Sequence, residues 1–422
     1  MHRSPFRIIL FVAFVDLVGF GLIIPLQAVY AERLGASGFV FGLLVGIYAA
    51  MQFIFNPLLG RLSDRIGRRP VLLICIAGSV ISHALLGVAD LAASLPLLFV
   101  ARTLDGITGA NVATAQAYIA DVTTSEDRAK GMGLFGAAFG SGFVVGPALG
   151  AGLATVGRLV SGARYGTAWP AFGAALIAAI ALLLVWRFLP ESRRETASSE
   201  DRFGLLTIGK LRSVLTHARL RELLTLTFGT TFAFVLLEVT FVYLCAHRFG
   251  ITERGTGLLF AYFGVMMVVV QGGLVGRLVP RFGEMRLLAV APFVTALGFL
   301  LLSGVPWMDN RGMAWMLLMV GCIPMTLGHG LTGPNLNALI SRQAVGGRQG
   351  TTLGLTQGIG SLARAAAPPV GGFLYDVGPS LPYWVGAVLL VGVGVFAVWV
   401  RSAQEGAIRA RSEPEAAQTD TR

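Results

Sequence analysis

Apolar runs of about 20 residues, the length an α-helix needs to cross the hydrocarbon of a bilayer, recur along the whole 422-residue chain. Twelve can be placed, near 7–29, 39–60, 70–89, 95–120, 131–156, 167–189, 220–246, 256–278, 284–304, 312–340, 349–375 and 380–401. Hydrophobic residues are 55% of the chain and charged residues 13%. A soluble domain carries about 25% charge, so an ordinary soluble enzyme is excluded. The 55 glycines fall largely inside the apolar runs, where small residues let membrane helices approach closely. The sequence predicts an all-α polytopic membrane protein with twelve transmembrane helices.

A net charge of +11 would raise the question of nucleic acid in a soluble chain, but the position of the charges answers it. Twelve crossings put both termini on one side, and that side holds 25 of the 33 Lys and Arg against six on the other. Arg102 and Arg364 lie within spans. This bias predicts cytoplasmic termini in an inner (cytoplasmic) membrane, with no nucleic-acid partner. The first span contains Asp16 and Pro25 and lacks a small-residue cleavage site, so it reads as a retained helix. Cys75, Cys245 and Cys322 are isolated, and no metal or disulfide framework is expected from them.

Residues 190–219 form the one long polar interior segment and divide the chain into six spans and six spans. The predicted organisation is a six-helix bundle over 1–189, a cytoplasmic linker over 190–219, a second bundle over 220–401 and a tail without fixed structure over 402–422. The halves echo each other. Gly60-Arg-Leu-Ser-Asp-Arg-Ile-Gly67 after the second span is matched by Gly276-Arg-Leu-Val-Pro-Arg-Phe-Gly283 after the eighth, and Pro147-Ala-Leu-Gly150 by Pro368-Pro-Val-Gly371. The two offsets, 216 and 221, nearly agree. Repeats of this kind mark secondary transporters, whose site lies at the repeat interface.

The loop from Gly60 to Arg69 reads Gly-x-x-x-Asp-Arg-x-Gly-Arg-Arg. Gly60 and Gly67 are expected to allow tight turns. Asp64, Arg65 and Arg68, with Asp121 closing the fourth span on the same side, are expected to form a charge cluster that latches one state and breaks in another. In the fifth span Pro147 bends the helix, while Gly142, Gly146 and Gly150 permit close contact with a neighbour. Gating, rather than chemistry, is the expected role.

That loop resembles the signature of the major facilitator superfamily. Three further stretches resemble its twelve-helix drug–proton antiporter branch, closest to tetracycline-efflux-like exporters: Asp16-Leu-Val-Gly-Phe-Gly-Leu-Ile-Ile-Pro25, Arg102-Thr-Leu-Asp-Gly-Ile-Thr-Gly-Ala110 running on to Ile119-Ala-Asp121, and Gly142-Phe-Val-Val-Gly-Pro-Ala-Leu-Gly150. The resemblance implies two pseudo-symmetric six-helix bundles that export amphipathic compounds in exchange for protons. It also implies that Arg68 pairs with Asp121 and that Asp64 faces the start of the eleventh helix near Gln349, whose positive dipole end would receive it. Two positions depart from the resemblance. Tetracycline exporters carry an aspartate in the middle of the third helix, where this chain has Ser82-His83. The branch usually has glutamine where this chain has Asp105.

A charge at the centre of a membrane helix costs about 2.5–3.5 kcal/mol on the insertion scale, so each needs a reason. The candidates are Asp16, Arg102, Asp105, Glu238 and Arg364. At a rise of about 1.5 Å per residue, Asp16 and Asp105 lie about 14 and 22 Å from the ends of their helices, near the midplane. Arg102 and Asp105 are one turn apart on one face. One arginine facing two acids leaves a carboxyl able to exchange a proton, so Asp105 and Asp16 are the coupling candidates. Glu238 either pairs with Arg364 or meets a cationic substrate, with Phe232, Phe234 and Phe241 as packing or as stacking walls. His83 and His329 are expected at helix interfaces.

The expected function is proton-coupled antiport of amphipathic, cationic or zwitterionic small molecules by a non-enzymatic monomer. No cofactor is expected, and a proton gradient is the energy source. The alternatives are a symporter or facilitator for a metabolite on the same fold, and a non-transporting receptor or scaffold.

Overall fold

The computed structural model of the chain describes residues 3–123, 125–162, 165–192, 218–251, 253–342 and 349–419. The described elements are helical throughout. In chain order they are α1 (Arg3–Arg33), α2 (Gly38–Ile66), α3 (Arg68–Leu91), α4 (Leu95–Ile107), α5 (Asn111–Val122), α6 (Ser125–Ser161) and α7 (Trp169–Phe188). They continue as α8 (Ala218–Phe249), α9 (Glu253–Val269), one π-helical turn, α10 (Val275–Phe282), α11 (Glu284–Ser303), α12 (Arg311–Arg342), α13 (Gln349–Val377) and α14 (Leu381–Thr419). Among the described residues, nine helical stretches are by themselves long and apolar enough to cross a bilayer. The α4–α5 pair, α6 and α13 occupy the remaining predicted spans, the fourth, fifth and eleventh.

The fourth span is expected as one helix and is found as two. Thr108 to Ala110 interrupt it, and the residues there supply the reason. The Thr108 hydroxyl donates to the Leu104 carbonyl, which also accepts the Thr108 N–H, each at 3.0 Å. Gly106 and Gly109 are two copies of the poorest helix former after proline. The last helix also differs from expectation, continuing beyond the predicted tail boundary to Thr419. Of the predicted 190–219 linker, residues 193–217 lie outside the described residues.

The two glycine turns of the repeat share one conformation. Gly67 (φ 108°) ends α2 and opens α3, and Gly283 (φ 75°) does the same between α10 and α11. Both backbones favour glycine, which has no Cβ to clash. Gly60 stands inside α2 with open space beside it, so the turn is made at Gly67 alone.

The contacts divide the chain into two compact units. One holds 1–205, 235–265 and 364–379; the other holds 206–234, 266–363 and 380–422. In the first, Ile9, Leu72, Ile76, Tyr118, Phe135 and Val185 join α1, α3, α5, α6 and α7. In the second, Leu223, Leu226, Leu288, Leu336, Ile340 and Ala397 join α8, α11, α12 and α14.

Lipid tails are as apolar as leucine, so close packing, rather than exclusion of water, must hold such helices together. The fifth-span motif does this along α1. A Cβ on Gly142 would lie 2.8 Å from Leu17 Cβ, one on Gly146 2.7 Å from the Val18 carbonyl oxygen, and one on Gly150 2.9 Å from the Leu22 carbonyl oxygen. Pro147 meets Gly21 of the same helix. Gly146→Val is therefore expected to lower stability by about 1–3 kcal/mol through overpacking. Gly152→Ala, at a position with nothing within 4 Å, should leave it unchanged. Thermal unfolding of both variants in detergent checks the pair.

Candidate functional site

The α4–α5 interruption stands between the charged and polar residues of the first unit. Asp105, one turn before it, is 5% exposed, and Arg102 is 2% exposed. Their ion pair measures 2.7 Å from Nη1 to Oδ2. The other carboxylate oxygen, Oδ1, accepts from the Ser82 hydroxyl at 3.0 Å, and His83 Nε2 stands 3.9 Å from it. The guanidinium carbon lies 4.2 Å from the centre of the Tyr48 ring. A buried charge persists only when paired and hydrogen-bonded, and α2, α3 and α4 each supply part of that requirement.

Asn111 opens α5 on the other side of the interruption. Its amide nitrogen donates to Asp16 Oδ1 at 2.8 Å and reaches Ser79 Oγ at 3.2 Å. Among the described residues Asp16 has this neutral partner and no ion pair. The two acids thus stand within electrostatic reach of each other with different company: Asp105 has a cation, Asp16 an amide. Glu238 and Arg364 are also within electrostatic reach of one another, in the same unit. Of the expected aromatic wall, Phe241 is buried edge-on against Phe263, Phe232 stacks on Phe228, and Phe234 stacks on His329.

At the turn between α2 and α3 the predicted cluster is assembled around Arg68. Its guanidinium meets Asp64 Oδ1 at 2.6 Å and Asp121 Oδ2 at 3.0 Å, and donates to Ser63 Oγ at 3.0 Å. Asp64 is half-exposed, and Arg65 is exposed in the last turn of α2. Sequence reasoning missed Glu191, just beyond α7. Its carboxylate takes the first N–H groups of α3, from Arg68 at 2.8 Å and Arg69 at 3.0 Å, and a Cβ on Gly67 would collide with it. An anion at a helix N-terminus is favoured by the unpaired N–H groups and the dipole. The Pro190-Glu191 pair ending an apolar span, ahead of the polar segment, was the available signal.

A second missed acid is Asp376, near the end of α13. Its two oxygens accept from the N–H of Gly38 and Phe39, at 2.7 and 2.8 Å, capping α2. From there Gly38, Gly42 and Gly46, one per turn, run against Gly372, Pro368 and Ala365 of α13. The signal was the four-residue glycine spacing in the second span. Tyr48 and Ser79 carried no pattern that singled them out.

A chain whose described elements are all helical, which crosses the bilayer many times and buries an ion pair within a span, is a membrane transporter in architecture. Residues 9–368 match the model of the Major Facilitator Superfamily, and the chain belongs to that family. It is 32% identical to the class E tetracycline resistance protein of Escherichia coli, over 92% of each chain. It is 30% identical to multidrug resistance protein 2 of Bacillus subtilis (strain 168), over 96% of this chain and 98% of the relative. The crystal structure of the human organic anion transporter MFSD10 (TETRAN) superposes with a TM-score of 0.66 at 26% identity, covering 94% of this chain and 99% of that one.

Removing one member of a buried pair strands the other, which costs about 3–5 kcal/mol. Arg102→Met is expected to lower stability by that amount, and Arg102→Met with Asp105→Leu to recover most of it. Unfolding of the two variants in detergent measures the difference, and equal losses would show that the pair is not one interaction.

Proposed function

We propose that the protein is a proton-coupled antiporter that exports amphipathic, cationic or zwitterionic small molecules by alternating access. The observation that carries this reading is the unequal company of the two acids. Asp105 is balanced by Arg102 at 2.7 Å, and Asp16 is held by the neutral Asn111 at 2.8 Å. An acid that no cation balances can gain and lose a proton without breaking an ion pair. In this reading Asp16 carries the exchanged proton, the Arg102–Asp105 pair sets the field around it, and Glu238 meets the positive part of the substrate. The tetracycline and multidrug resistance relatives support export of such compounds.

The Asp64–Arg68–Asp121 cluster acts as the cytoplasmic latch, and the Gly142–Gly146–Pro147–Gly150 seam lets α6 bear on α1 as the site changes state. The excess of Lys and Arg on one side supports cytoplasmic termini in the inner membrane. The protein works as a monomer of two six-helix bundles, over 1–189 and 220–401, joined by the 190–219 linker, with no cofactor. Its energy comes from the proton gradient, which at 100 mV contributes about 2.3 kcal/mol per charge moved.

Everted membrane vesicles acidified by respiration test this. Addition of lipophilic cations or tetracycline is expected to collapse the pH gradient in wild-type vesicles, and to leave it intact with Asp16→Asn. Asp105→Asn is expected to slow the collapse at least about tenfold by unbalancing Arg102, a loss of about 1.4 kcal/mol. Full exchange in Asp16→Asn would move the proton to Asp105. Substrate-dependent proton movement in the same direction as the substrate would replace antiport by symport.

A further inference from the structure

Arg102 is nearly enclosed by protein, yet the ion pair with Asp105 uses only one edge of its guanidinium. Among the described residues its buried Nε has no hydrogen-bond partner. The group facing the guanidinium is the Tyr48 ring, at 4.2 Å. The negative face of an aromatic ring attracts a cation, and more strongly where water is absent.

Tyr48 is itself held in place. Its hydroxyl accepts from Gln52 Nε2 at 2.8 Å, and the same nitrogen reaches the Gly109 carbonyl oxygen, inside the α4–α5 interruption, at 3.3 Å. Gly106 backs directly onto the Tyr48 main chain: a Cβ there would stand 2.5 Å from the Tyr48 carbonyl oxygen. The ring is therefore referenced to both sides of the interruption. Asp16 of α1, Arg102 and Asp105 of α4, and Arg364 of α13 all lie within its electrostatic reach, and Arg364 in turn reaches Glu238 of α8. His83 of α3 completes the titratable groups around the pair.

We propose that Tyr48 is a positioning residue for proton coupling: its ring holds the Arg102 guanidinium on Asp105. In this way it keeps the cation from Asp16 and leaves that acid free to exchange its proton. The role belongs to the face of the ring rather than to the hydroxyl. This inference rests on the antiport reading, and it adds a residue that contacts neither proton nor substrate.

The test varies the ring's charge distribution at constant shape. Tyr48→Phe is compared in the vesicle assay with 4-fluoro- and 3,4,5-trifluorophenylalanine introduced at position 48, since fluorine withdraws the negative charge of the face. Substrate-triggered proton exchange is expected to survive in Tyr48→Phe and to fall stepwise along the series, by about three- to thirtyfold at its end. KM for the substrate should stay level. Purification as a monodisperse species confirms that each variant folds. A flat series, or loss of exchange already in Tyr48→Phe, overturns the proposal. Absence of exchange in the wild type would instead overturn the antiport reading itself.

Discussion

Arg102 and Asp105 hold a 2.7 Å ion pair in surroundings that leave both of them almost wholly buried. Desolvating two charges costs several kcal/mol each, and their attraction repays that only when the remaining donors and acceptors are served. Much of the first unit's interior follows from this requirement. α3 presents Ser82 to the carboxylate, α2 presents the Tyr48 ring to the guanidinium, and the span that carries the pair breaks one turn later. The break in turn frees Asn111 to begin a new helix with its side chain on Asp16. One ion pair thus organises α1 to α5.

Close approach of helices depends on glycine in two places that follow the same physics. Gly142, Gly146 and Gly150 bring α6 onto the carbonyl edge of α1, and Gly38, Gly42 and Gly46 bring α2 onto α13. In α13 the paired prolines Pro368 and Pro369 lie within the contact, and proline leaves a carbonyl one turn back without its helical donor. Backbones that meet without side chains between them can slide or separate without repacking a core. The carboxylates that close two helix ends, Glu191 at α3 and Asp376 at α2, add contacts that are either made or unmade. Such elements have discrete arrangements, as alternating access requires.

Much of this was legible in the residues. Apolar run lengths located the spans, and glycine-arginine loops at a fixed offset located the two positive-φ turns at Gly67 and Gly283. Asp16, Arg102 and Asp105 stood out as charges inside apolar runs, and an i, i+3 relation placed Arg102 against Asp105. Tyr48 and Asn111 were not singled out, because tyrosine and asparagine in a span have no period that distinguishes a partner from filler. The α4–α5 interruption was missed because glycine is tolerated within membrane helices, where neighbours decide whether the backbone yields.

The residues alone specify a multi-pass helical chain, the order of its helices, its internal repeat and the short list of charges that need a reason to be in the membrane. These are one-dimensional properties: helix length, residue spacing and the cost of placing a charge in hydrocarbon. Which acid received the cation was settled by how the helices pack. That choice depends on which neighbouring helices deliver a hydroxyl, an amide or an aromatic face within about 3–4 Å, a distance set by packing between segments far apart in the chain.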